Sequence, residues 1–103
     1  MTLEQYLLTC FSEECVELAQ AISKAIRFGL DDQWPGKPTT NRTDIKVEFN
    51  DILAVLELLE ENQILIAYRD QKLIDAKKLK LSKMLLHSAD RGRVLAFPSN
   101  QKQ

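Results

Sequence analysis

Apolar residues in the first quarter of the chain recur in alternating steps of four and three, at Leu3, Leu7, Cys10 and again at Ala21. That spacing marks one face of an α-helix. Thr2 and Gln5 have the spacing of a capping box, a hydroxyl and an amide three residues apart, which predicts a helix starting at Leu3. Nothing interrupts it before Gly29, where a left-handed residue would close the last turn beside Arg27. The predicted helix has roughly 26 residues and a length of ~39 Å. From Leu30 to Thr43 the chain reads LDDQWPGKPTTNRT, a structured loop by its prolines, glycine and cap-type residues. A second helix is expected from Ile45 to Asn62, capped by Asn41, Thr43 or Asp44, with Ile45, Phe49, Ile52, Leu56 and Leu59 as its stripe. Gln63 to Arg69 suits either an extended piece or a turn, and Asp70 is the expected cap of a third helix ending near Ser88. With no strand pair, internal repeat or low-complexity tract, the fold class is all-α.

The pattern breaks its own rule at four places. Continued in the same steps, the first line runs through Glu14, Glu17, Ala21 and Lys24, and a second one runs Glu48, Asp51, Val55, Leu58 and Asn62. All four carboxylates are thus predicted to face inward, a pair on each helix. Ionised carboxylates brought together repel one another by an amount comparable to a fair share of a small domain's stability. Either some are protonated, or lysine, arginine or a metal ion offsets them. Zinc is disfavoured, because Cys10 and Cys15 are misplaced for a site and His87 is the sole histidine; a di-iron centre would need Glu-x-x-His pairs, which are absent. An all-oxygen donor set suits a hard dication, and Mg²⁺, with Mn²⁺ as a substitute, is the metal expected.

Two further features set the assembly. Leu8, Phe11, Cys15, Leu18 and Ile22 flank the first line, and Leu53 and Val55 widen the second, so both helices are apolar over more than half their circumference. Three helices in one chain would leave part of that surface wet. The expected architecture is a helical hairpin plus a third helix, assembled into a four-helix-bundle-type homo-oligomer, with residues 1–92 as the domain and 93–103 as a tail. A net charge of -1 over 103 residues offers no basic field for a nucleic-acid polymer. No apolar run approaches the ~20 residues that span a bilayer, and the N-terminus lacks a secretory layout, so no membrane is expected. Cysteines five apart on one helix cannot bridge, which fits a reducing cytoplasm.

A solvent-open magnesium site suggests phosphoryl chemistry, yet the chain has no GxxxxGK[ST] and no GxGxxG. Phosphate would be held through metal and basic side chains, for which Lys24 on the first seam and Lys77 and Lys80 on the third helix are the candidates. Trp34, flanked by proline, either stacks on a nucleobase or pins its loop to the body.

The stretches EECVELAQAISKAIRFGL and EFNDILAVLELLEE together resemble the MazG-like branch of the all-α nucleoside triphosphate pyrophosphohydrolases, whose mark is Glu-x-x-Glu on one helix and Glu-x-x-Asp on the next. AKKLKLSK is similar to the lysine-bearing third helix of small members, and the resemblance covers about Leu3 to Gly92. It implies hydrolysis of a (deoxy)nucleoside triphosphate to the monophosphate and pyrophosphate, by attack of a metal-activated water on the α-phosphorus. It also implies that Glu14, Glu17, Glu48 and Asp51 are the catalytic Mg²⁺ ligands of a dimer or a dimer of dimers. The Trp34–Pro38 loop makes the gap between acidic pairs longer than in the most compact members. The alternative is a non-catalytic helical module whose acidic seam receives a basic partner helix.

Overall fold

The structure, a computed structural model, describes residues 1–66 and 69–94. It has three helices, α1 (Leu3–Phe28), α2 (Asn41–Glu61) and α3 (Gln71–Asp90), and among the described residues no strand beyond an isolated bridge between Gln33 and Thr40. The chain divides into two compact units, Met1–Ala67 and Tyr68–Gln103. The first holds the α1–α2 hairpin and the second holds α3.

The capping box opens α1 as the spacing requires. Gln5 N donates to Thr2 Oγ1 at 3.1 Å, and Thr2 N donates to Gln5 Oε1 at 2.9 Å. The helix ends at Phe28, and Gly29 N donates to Ala25 O at 2.8 Å. Gly29 has φ 100° and ψ 148°, so it is not the left-handed helical closure that was expected. It turns the chain sharply out of the helix, in a region that glycine alone enters without strain.

The loop that follows is tied at many points, and these ties start α2 at Asn41, four residues before the expected Ile45. Thr40 is the cap, its Oγ1 accepting from Thr43 N at 3.2 Å. Asn41 is buried, its Nδ2 donating to Gly29 O at 2.8 Å and its backbone N to Asp32 O at 3.0 Å. Arg42 N donates to Leu30 O at 2.8 Å. Periodicity placed the start at the first apolar residue, but the real start is set by polar groups that bind the loop back onto itself.

In the hairpin, the buried and half-buried positions of α1 include Leu7, Phe11, Glu14, Leu18, Ala21 and Ala25, and those of α2 include Asn41, Ile45, Glu48, Ile52, Val55 and Leu59. Both lines advance close to 3.6 residues per turn, so Phe49, expected on the stripe, is rotated out and exposed. Asn62 ends α2, and Gln63 takes a positive φ of 57° while Ile64 N donates to Leu59 O at 3.0 Å. In the other unit, Asp70 caps α3 as expected, its Oδ1 accepting from Lys72 N at 3.0 Å and Leu73 N at 3.3 Å. The helix runs two residues past Ser88, and Lys77 and Lys80 on it are exposed. Most of the tail expected from residue 93 lies outside the described residues.

Candidate metal centre and its adjoining pocket

The same rotation sorts the four carboxylates. Glu14 and Glu48 lie on the buried lines, whereas Glu17 and Asp51, three residues further along each helix, stand at the flank and are exposed. The expectation that all four face inward therefore holds for one member of each pair, because the buried line goes on from Glu14 to Leu18 and from Glu48 to Ile52, four residues each, and passes Glu17 and Asp51 by. One carboxylate oxygen each from Glu14, Glu17 and Glu48 lie within 4.8 Å of one another. Asp51 is outside this group, although its negative charge acts on both Glu14 and Glu48.

Two carboxylate oxygens of these residues, Glu14 Oε2 and Glu48 Oε2, are out of contact with solvent and lack a hydrogen-bond partner. Buried acceptors without donors are uncommon and costly. The electrostatics agree with that cost. Burial pushes the Glu14 carboxyl above its ordinary 4.5, and the charges of Glu17, Asp51 and Glu48 push it the same way. Burial likewise raises Glu48, with Glu17 and Asp51 adding to it and Lys37 opposing. Glu17 is the nearest acidic neighbour acting on both, and it pushes each carboxyl in the same direction. A proton shared among acids is one way to lower the site's charge; a dication is the other. The donors fit a hard dication, since three oxygens within 4.8 Å have the scale of a coordination shell whose opposite oxygens stand ~4.2 Å apart for Mg²⁺ and ~5 Å apart for Ca²⁺.

Beside the acids lies a pocket of about 320 Å³, lined among others by Glu17, Glu48, Lys24, Lys37, Asn41 and Asp44. Lys24, expected to hold phosphate, lines this pocket. Lys37 was not expected here, because a residue between two prolines in an irregular loop has no periodicity to assign it a face. Its Nζ donates to Asp44 Oδ2 at 2.8 Å, and Thr39 Oγ1 donates to Asp44 Oδ1 at 2.7 Å. These two hydrogen bonds hold the Asp44 carboxyl below its ordinary 3.8, with Lys24 near enough to add to the effect. Trp34 is exposed and meets Phe28 edge to face, with ring centroids 5.9 Å apart, and is not among the residues lining the pocket. Its contact pins the loop to the end of α1. Lys77 and Lys80 belong to the unit that contains α3.

Cys10 and Cys15 are both free thiols, and no helix among the described residues is long and apolar enough to cross a membrane. Compared with protein-family models, with curated proteins and with solved structures, the chain finds no match.

Proposed function

We propose that this chain is a Mg²⁺-dependent pyrophosphohydrolase that converts a (deoxy)nucleoside triphosphate to its monophosphate and pyrophosphate, with Mn²⁺ able to replace Mg²⁺. The observation that carries the reading is the pair of unpartnered, inaccessible oxygens on Glu14 and Glu48, grouped with Glu17 on facing helices. A structural ion pair would have placed a cation between them. Glu14, Glu17 and Glu48 would hold the metal, with Asp51 at the flank completing the set. Bound there, Mg²⁺ would offset the charge of the phosphate oxygens and lower the pKa of a water able to attack the α-phosphorus. Hydrolysis would form a bond from that water oxygen to the α-phosphorus, break the one to the bridging oxygen and release pyrophosphate. Lys24 contributes positive charge to the pocket that adjoins the carboxylates.

The resemblance in EECVE and EFND supports the same chemistry. A panel of ribo- and deoxyribonucleoside triphosphates with Mg²⁺ tests it: pyrophosphate release from at least one is expected. Release from none, together with a flat calorimetric titration with Mn²⁺, would remove the enzyme reading and leave the basic-partner module in its place.

A homo-oligomer of four-helix-bundle type belongs to the same proposal. Leu3, Leu8, Val16, Ile22 and Ile26 on α1 and Val47, Phe49, Leu53 and Leu58 on α2 are exposed, a large apolar surface for so small a unit. Sedimentation equilibrium of the intact chain should give a mass of two or four copies, and a strict 11.8 kDa monomer at micromolar concentration would rule this out.

A further inference from the structure

The loop between α1 and α2 does more than join them, because it carries a cation into the pocket. Lys37 lines the cavity from a loop fastened by Asn41 to Gly29, by Gln33 Nε2 to Pro38 O at 2.9 Å, and by Lys37 N to Trp34 O at 2.9 Å. An anion entering there would find no free donor on the first turn of α2. Asn41 N, Arg42 N and Thr43 N are already given to Asp32, Leu30 and Thr40. Side chains must do the binding, and the cations lining the pocket are Lys24 and Lys37. With its residues ionised, the lining carries three negative charges (Glu17, Asp44, Glu48) and two positive ones (Lys24, Lys37), a net of -1. Glu14 and Asp51 beside the lining bring the total to -3, which one dication at the carboxylates would cut to -1, so the repulsion of an anion is much weaker when metal is bound.

We propose that Lys37, together with Lys24, seats the terminal phosphates of a polyphosphate chain, and that Asp44 holds Lys37 in position until the phosphate takes over its ammonium. The substrate class rests on the nucleotide reading above, while the seat itself does not. Ammonium groups are point charges that suit phosphate oxygens, and a volume of about 320 Å³ is that of a small-ligand cavity. Asp44 is the positioning residue: it accepts from both Lys37 and Thr39, which fixes the loop's reach over the cavity.

The test uses inorganic tripolyphosphate as the probe, titrated calorimetrically into the full chain in Mg²⁺ and in EDTA. Wild type should bind in Mg²⁺ and bind at least about tenfold more weakly in EDTA. Lys37→Gln should weaken binding by about 10- to 100-fold, and Lys37→Arg should restore most of it. Asp44→Asn frees the lysine while keeping an acceptor for Thr39, and it should bind at least as tightly as wild type. That arm separates a seat from a mere structural bridge, for which Asp44→Asn and Lys37→Gln would lose binding equally; it also decides the matter if Lys37→Gln does not fold. Wild type that ignores tripolyphosphate, a Lys37→Gln protein that binds it unchanged, or equal losses in the two variants would each overturn the proposal. If the nucleotide panel gives no turnover but tripolyphosphate binding falls with Lys37→Gln, the seat stands and the nucleotide reading falls. If turnover is present, Lys37→Gln should raise KM with a smaller change in kcat.

Discussion

Glu48→Gln is expected to abolish pyrophosphate release and, in metal-free buffer, to leave the protein at least as stable as wild type. Both effects have one origin. Glu48 sits on the buried line of α2 with one oxygen inaccessible and unpartnered, facing the acids of α1. A neutral amide of nearly the same shape removes a like charge from a place where burial and Glu17 already disfavour it. On the proposed reading it would also remove a metal ligand, for which the loss of turnover should exceed the ~10–100-fold typical of an outer-shell partner. The measurement pairs steady-state pyrophosphate release with a thermal melt in EDTA. A variant that turns over at the wild-type rate would show that Glu48 holds no metal. A variant that melts well below wild type without metal would show that its carboxylate is a structural partner.

The second large effect is the dependence of stability on pH and metal. Glu14 and Glu48 have folded-state pKa values above their ordinary 4.5, so from about 4.5 up to the raised values the folded protein binds more protons than the unfolded chain. Their contribution is present in full below the unfolded value and is lost as pH rises through the folded ones. In EDTA the melting temperature should therefore fall as pH climbs above 4.5 towards neutrality, and Glu14→Gln or Glu48→Gln should flatten that slope. Asp44 runs the other way: its folded value is depressed, so its contribution is present above its ordinary 3.8 and is lost as pH falls through the lower folded value. At neutral pH, Mg²⁺ at ~100 times its Kd should add ~2.7 kcal/mol, which is about 10 °C or more for a domain of this size. A metal-free melting temperature that climbs steadily to pH 7, or one that Mg²⁺ leaves untouched, is the contrary result.

Much of the helical layout was legible because its signals are local. The capping box at Thr2 and Gln5, the break at Gly29 and the Asp70 cap each involve residues within a turn of one another, and each appears where the spacing put it. The start of α2 was misread because Asn41 is fixed by Gly29, twelve residues back, and no apolar pattern records such a bond. The acid group was legible as a pair on each helix, but not in which member turns inward. Steps of four and three fit more than one line on each helix, and the line that the hairpin buries takes Glu14 and Glu48 and leaves Phe49, Glu17 and Asp51 at the flank. Lys37 had no signal at all, since its position depends on the folded path of a loop.

The buried side chains of α1 near the carboxylates are Ala21 and Ala25, one and two turns past Glu17. Methyl groups act as thin shims, and their thinness decides how near the two helix axes can come. Carboxylate oxygens offer much the same donor to any hard ion, so the preference for one ionic radius over another is governed by the width of the gap they span. On the proposed metal reading, discrimination between a small dication and a large one would then rest in part on the two alanines that set the helix spacing.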